Sequence, residues 1–156
     1  MEVKFIRIDE RLVHGQVITS WAKKYNINRI VVVDDDVARD PFMSQVITLS
    51  AQAGMEIKIL TVGDAVSYLQ NDKSAANVML LFKHPSSVLA LMQAGYNLSE
   101  VNLGNLGSSP TRKRISKNVS LSEEEIETVK QIQALGARVY LQMVPADQQI
   151  DISTEL

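Results

Sequence analysis

A chain of 156 residues, 46% hydrophobic and 22% charged, is long enough for one globular domain that buries roughly two-thirds of its unfolded surface. With 16 Lys and Arg against 18 Asp and Glu, the net charge of −2 offers no overall field for nucleic acid or an anionic membrane, and 5% aromatic content offers few stacking platforms. Zero cysteines exclude a disulfide scaffold, a thiolate nucleophile and cysteine-held zinc or iron–sulfur sites, which fits a reducing cytoplasm; no apolar run nears the roughly 18 residues of a membrane span, and the start lacks a signal peptide's apolar core.

In chain order, the first predicted strand, 3–8, runs into Asp9-Glu10-Arg11-Leu12-Val13-His14 and then an amphipathic helix over 15–24. A second strand, 29–34, is apolar through Ile30–Val33 and so reads as buried on both faces; it ends in Asp34-Asp35-Asp36. Asp40 and Pro41 mark the N-cap and first position of a helix over 41–53, with Gly54 as its left-handed stop. Next come a strand at 56–61, a helix at 64–71 and a strand at 77–82 that is apolar through Val78–Phe82 and exits through Lys83-His84-Pro85 into a helix over 86–94 closed by Gly95. A strand at 100–103 opens a long irregular segment, 104–118, whose end at 115–120 could add an edge strand. Ser122 and Glu125 form a capping box for a helix over 123–135, which Gly136 ends; a last strand at 138–143 leads to a polar tail after Pro145 that is expected to be loosely ordered. The alternation predicts a single α/β domain spanning 1–156, a mostly parallel central sheet of six strands with helices on both faces.

In such a sheet ligands bind where loops leave the carboxyl ends of the strands. The first exit is the richest. His14 stands at a helix start, where free N–H groups and the dipole favour an anion; Gly15 and Gln16 open that helix, and Arg11 can bring a guanidinium to the same spot. A neutral imidazole is nucleophilic, and Asp9 could hold its other nitrogen, so the group reads as a phosphoryl acceptor. A cap at His14 with a surface pair of Asp9 and Arg11 is the structural alternative. The run of three aspartates reads as a turn and helix approach, because adjacent acids cannot all face one ion. Lys83 could hold an anion, and His84 is a rival acceptor, although Pro85 alone accounts for that turn. Arg112, Lys113, Arg114 and Lys117 concentrate positive charge after the fifth strand, either as a solvated face or as a docking surface for an acidic or phosphorylated partner. No dinucleotide fingerprint or Walker A sequence occurs, and two histidines without cysteine give no spacing for a transition metal, so neither cofactor nor metal is expected.

The run Arg7-Ile8-Asp9-Glu10-Arg11-Leu12-Val13-His14-Gly15-Gln16-Val17 with Trp21 resembles the signature of the IIB components of the mannose/sorbose family of the bacterial phosphoenolpyruvate-dependent sugar phosphotransferase system. The resemblance continues through Val31-Val32-Val33-Asp34-Asp35, Asp40-Pro41, Val101-Asn102-Leu103-Gly104, Ile115-Ser116-Lys117-Asn118-Val119-Ser120 and Gln142-Met143-Val144-Pro145. It departs in the long loop, where Gly104-Asn105-Leu106 and Thr111-Arg112 replace the family's Gly-Gly-Met and Gly-Lys. The resemblance implies a seven-stranded, largely parallel sheet and the activity of a protein-N(pi)-phosphohistidine–sugar phosphotransferase. His14 would take a phosphoryl group on Nδ1 from a phosphohistidine of a IIA partner and pass it to a sugar held by membrane-embedded IIC and IID components, with Arg11 stabilising the group in transfer. It also implies a cytoplasmic protein associated peripherally with the membrane through IIC and IID, and a mannose, fructose, sorbose or amino-sugar substrate that the residues do not select. A homodimer is left open. A non-catalytic module that binds an acidic or phosphorylated partner through the 112–117 loop, and a free-standing enzyme using His14 as acid or base, are the competing expectations.

Overall fold

The computed structural model describes residues Met1–Leu156. Strands β1 (Glu2–Asp9), β2 (Arg29–Val33), β3 (Glu56–Leu60), β4 (Asn77–Phe82), β5 (Glu100–Asn105) and β8 (Arg138–Leu141) form the predicted parallel sheet. Helices α1 (Gly15–Lys24), α3 (Pro41–Leu49), α4 (Val62–Asn71), α5 (Pro85–Gln93) and α6 (Glu123–Ala134) lie between them. The seventh strand, β9 (Ile150–Asp151), pairs antiparallel with β8, giving the order β3-β2-β4-β1-β5-β8-β9.

Alternation along the two apolar strands divides the core. Ile30, Val32, Met79 and Leu81 face Ile18, Trp21, Ala22 and Ile47 of α1 and α3, whereas Val31, Val33, Val78, Leu80 and Phe82 face α4, α5 and α6. Successive side chains of a strand point to opposite faces, so a strand that is apolar throughout needs helices on both sides. Gly95 (φ 106°) and Gly136 (φ 105°) end α5 and α6 as expected, with the N–H groups of Tyr96 and Ala137 returning to the carbonyls of Leu91 and Ile132.

Three local expectations change. The helix predicted over 41–53 stops at Leu49, and Gly54 (φ 86°) instead serves the turn into β3. The aspartate run is the helix approach expected of it: it starts a short helix, α2 (Asp35–Ala38), which Asp34 caps by accepting from the Val37 N–H at 2.9 Å, while Asp35 accepts from the Val62 N–H at 2.8 Å. The 115–120 segment does not join the main sheet: β6 (Lys113–Arg114) and β7 (Ser120–Leu121) make a separate antiparallel pair. The tail is ordered by β9 and a following 3-10 turn (Ile152–Thr154), because Ile152 is fully buried against the core; one apolar residue in a polar segment was enough to anchor it.

From β1 the chain leaves through α1 toward β2, and from its neighbour β5 it leaves toward β8 on the other side. Adjacent strands whose exits diverge open a crevice at their carboxyl ends. Asp9 ends β1 at that point, opposite Asn105 of β5.

Candidate functional site

Phe5, Arg7 and Asp9 share one face of β1, with Arg7 in register with Asn102 of β5. Arg7 is completely buried, an arrangement that requires paired charge; both Nη atoms are hydrogen-bonded, while Nε is buried without a partner. Its Nη2 pairs with Asp9 Oδ2 at 3.0 Å, and its Nη1 donates to Asn102 Oδ1 at 2.6 Å and to the Gln142 carbonyl at 3.2 Å. The guanidinium also lies 5.5 Å from the ring centre of Trp21, whose indole N–H donates to the Met143 carbonyl at 3.1 Å. Burial lowers the Arg7 pKa from its ordinary value, and the adjacent Asp9 charge opposes that shift. Gly104 leaves the space the guanidinium fills: a Cβ there would overlap the Arg7 head group.

Asp9, also fully buried, is the hub of the exit loop. Its Oδ1 accepts from the backbone N–H of Arg11 at 3.0 Å and from Arg11 Nε at 3.4 Å, and its Oδ2 lies 3.4 Å from Arg11 Nη2 and 3.8 Å from His14 Nε2. The loop reverses through Leu12 (φ 55°) and Gly15 (φ 39°). For Leu12 that conformation costs roughly 1–2 kcal/mol, so contacts from outside the loop must hold it.

His14 is the N-cap residue of α1, but its ring makes no capping bond. Nδ1 instead donates to the Leu12 carbonyl at 2.7 Å, which leaves the lone pair of the neutral ring on Nε2; that atom is covered and has no hydrogen-bond partner. The first turn of α1, with Gly15 and Gln16 exposed, contains no acidic residue, so its N–H groups and dipole face an open anion position. Arg11, exposed over 41% of its side chain, can swing to the same position. The crevice thus pairs one imidazole with one partly exposed guanidinium and one uncapped helix start above a buried carboxylate. That combination suits transfer of a phosphoryl group rather than tight retention of one.

The structure brings Asp9, Arg11, His14, Gly15 and Gln16 together at the β1 exit and places His84, Lys113 and Lys117 on other segments. His84 heads α5 on the opposite side of the sheet, in a polar cleft of about 520 Å³ with Ser86, Ser109 and Thr111. Lys83 is partly exposed at the β4 exit. Lys113 and Lys117 are exposed, but Arg112 is not a free cation: it is taken up by Glu10 and Glu125, a correction to its expected place on a docking surface. Arg7, Asn102, Gly104 and Trp21 belong to the site's support, although residue type alone gave no reason to choose them. The signal available was an arginine inside an apolar strand, which only a buried partner can justify. No group of three His, Cys, Asp or Glu side chains is placed to hold a metal ion, and no helix is long and apolar enough to cross a membrane.

Comparison with known proteins places this geometry in a family. Residues 3–156 match the family model "PTS system sorbose subfamily IIB component". The chain is 31% identical to the sorbose-specific EIIB component of Klebsiella pneumoniae over 153 residues, covering 97% of this chain and 93% of that protein. It is 34% identical to the mannose-specific EIIAB component of Escherichia coli over 148 residues, 94% of this chain but 46% of that longer protein. The crystal structure of the IIBSor domain of the Klebsiella sorbose permease superposes with a TM-score of 0.93 at 31% identity, over 99% of this chain and 96% of that one. With sequence and fold matching over essentially the whole length, the chain belongs to the sorbose subfamily of phosphotransferase-system IIB components.

Proposed function

We propose that the chain is a phosphoryl relay in which His14 accepts a phosphoryl group from a phosphohistidine of a IIA domain and delivers it to a sugar held by IIC and IID membrane components. The observation that carries the reading is the placement of the His14 ring at the uncapped start of α1, between partly exposed Arg11 and buried Asp9.

On this reading the reaction begins with the tautomer of His14. In the resting ring the proton sits on Nδ1, against the Leu12 carbonyl. Acceptance on Nδ1 therefore needs the other tautomer, with the proton on Nε2 facing the Asp9 carboxylate 3.8 Å away. In that tautomer the Nδ1 lone pair would oppose the lone pairs of the Leu12 oxygen at 2.7 Å, and the repulsion turns the ring outward toward a donor. Nδ1 then attacks phosphorus in line, the bond to the donor imidazole breaks, and its electron pair returns to the donor nitrogen. Arg11 and the N–H groups of α1 hold the three equatorial oxygens. Asp9 stabilises the Nε2 proton throughout, while Arg7 and Asn102 keep Asp9 in place. Lys113 and Lys117 offer exposed positive charge to the docking partners, and Lys83 supplies another cation at the neighbouring strand exit.

On this reading the protein works in the cytoplasm at the inner face of the membrane and needs no cofactor. The sugar, whether mannose, fructose, sorbose or an amino sugar, is selected by the membrane partners. The similar identities to a sorbose-specific and a mannose-specific relative are in keeping with that division of labour. The test is transfer from labelled phosphoenolpyruvate through enzyme I, the histidine carrier protein and IIA to wild type, His14→Ala and His84→Ala. Acid-labile, alkali-stable label lost only in His14→Ala is the expected result. Normal labelling of His14→Ala, or none of wild type, refutes the relay at His14 and favours a module that binds through the 113–117 loop.

A further inference from the structure

The exit loop of β1 is gripped from two sides. On one side Arg7 holds Asp9; on the other, Glu10 reaches away from Asp9 toward β5 and α6. Glu10 Oε1 accepts from the Gly107 N–H at 2.5 Å, and Oε2 accepts from Arg112 Nη1 at 3.1 Å. Arg112 continues the chain: Nη1 also donates to the Gly107 carbonyl at 2.9 Å, while Nε and Nη2 form a two-pronged pair with Glu125 at 2.9 and 3.0 Å. Glu125 is itself fixed as the third residue of the α6 capping box, accepting from the Ser122 N–H at 2.9 Å. The side chains of Glu10, Arg112 and Glu125 are 29%, 14% and 19% exposed, so this is a mostly covered network and not a solvated pair. Gly107 is part of it, because a Cβ there would stand 2.7 Å from Glu10 Oε1.

We infer that Arg112 is a positioning residue for phosphoryl transfer, locking Glu10 to the start of α6 so that the loop from Asp9 to His14 holds Arg11 and His14 in reach of one phosphoryl group. The inference rests on the relay reading of His14. Its physical basis is that a loop with a left-handed Leu12 needs anchors, and beside the buried Leu12 side chain and the contact of Arg11 with Met143 Sδ, Glu10 supplies the charged hydrogen bonds that tie the loop to the segment before α6. A guanidinium supplies fixed directions to two carboxylates at once, which a lysine cannot do.

The experiment uses the full chain and its Arg112→Gln, Glu10→Gln and double variants, phosphorylated either by phosphoramidate, a small donor that needs no docking surface, or by phosphorylated IIA. In the small-donor reaction the phosphorus–nitrogen bond of phosphoramidate breaks, ammonia leaves, and a new phosphorus–nitrogen bond forms on His14. Each single variant should label about tenfold more slowly from phosphoramidate, since small misplacements of reacting groups cost one to two orders of magnitude. The double variant should be no slower than the slower single, and the KM for IIA should be unchanged. An unchanged phosphoramidate rate with a raised KM for IIA makes Arg112 a partner contact, and an unchanged rate with lowered thermal stability makes the network merely structural; either overturns the inference. Failure of the wild type to accept label from both donors would instead sink the relay reading itself.

Discussion

Replacing Arg7 by methionine isolates the electrostatic part of the buried support, because methionine keeps an unbranched stem beneath Trp21 and removes only the charged head. Asp9 then loses its 3.0 Å ion pair and keeps Arg11, which is 3.4 Å away and 41% exposed. Asn102 Oδ1 loses its 2.6 Å donor, although the Asn102 amide still serves the Gln142 carbonyl at 3.0 Å. Leaving one partner of a buried pair unmatched costs about 3–5 kcal/mol, against a total stability of roughly 5–15 kcal/mol. For a chain of this length that is a fall in Tm of roughly 6–20 °C. Urea unfolding followed by the fluorescence of Trp21, the single tryptophan, measures it directly. The sharper readout is the double variant Arg7→Met/Asp9→Asn. Because the cost lies in an uncompensated charge, removing that charge should make the double variant more stable than Arg7→Met alone. A loss under about 1 kcal/mol for Arg7→Met, or a double variant as unstable as the sum of the singles, would refute the argument.

Other outcomes follow from single contacts. Gly104→Ala forces a methyl group into the Arg7 head group, which three partners hold in place, and should cost about 1–3 kcal/mol; an unchanged unfolding midpoint would show that the guanidinium can move aside. Ile152→Ala should cost about 2–5 kcal/mol although the residue lies four positions before Leu156, and a neutral result would return the tail to the loosely ordered state expected from its composition. Nitrogen-15 spectra at neutral pH should show unphosphorylated His14 with its proton on Nδ1; a resting Nε2–H form would remove the need for a tautomer change before transfer. Burial opposes ionisation of Glu125, but hydrogen bonds from Arg112 and the Ser122 cap outweigh it and hold its carboxyl below the usual range. A depressed carboxylate contributes stability that is complete above its unfolded pKa of about 4.3 and is lost as pH falls through the folded value. Arg112→Gln should therefore flatten the acid limb of the stability profile, and an identical limb in wild type and variant would contradict the pairing.

The elements themselves were legible in the sequence because local chemistry specifies them. Two strands apolar at every position after the first demand cover on both faces, and Asp40-Pro41, Ser122 with Glu125, Gly95 and Gly136 mark helix ends through backbone groups only a few residues away. The same holds for the candidate residues Asp9, Arg11, His14, Gly15 and Gln16, which are neighbours along the chain at one strand exit and so had to be neighbours in space. Sequence patterning could not reach contacts between distant segments. That Arg112 answers Glu10 and Glu125 instead of a partner depends on bringing together three segments that lie more than ten residues apart along the chain. Arg7 finds Asn102, the Gln142 carbonyl and Trp21 only once β1, β5, β8 and α1 are assembled. A buried charge has no local signature beyond its cost, and only the tertiary structure decides which partners meet that cost.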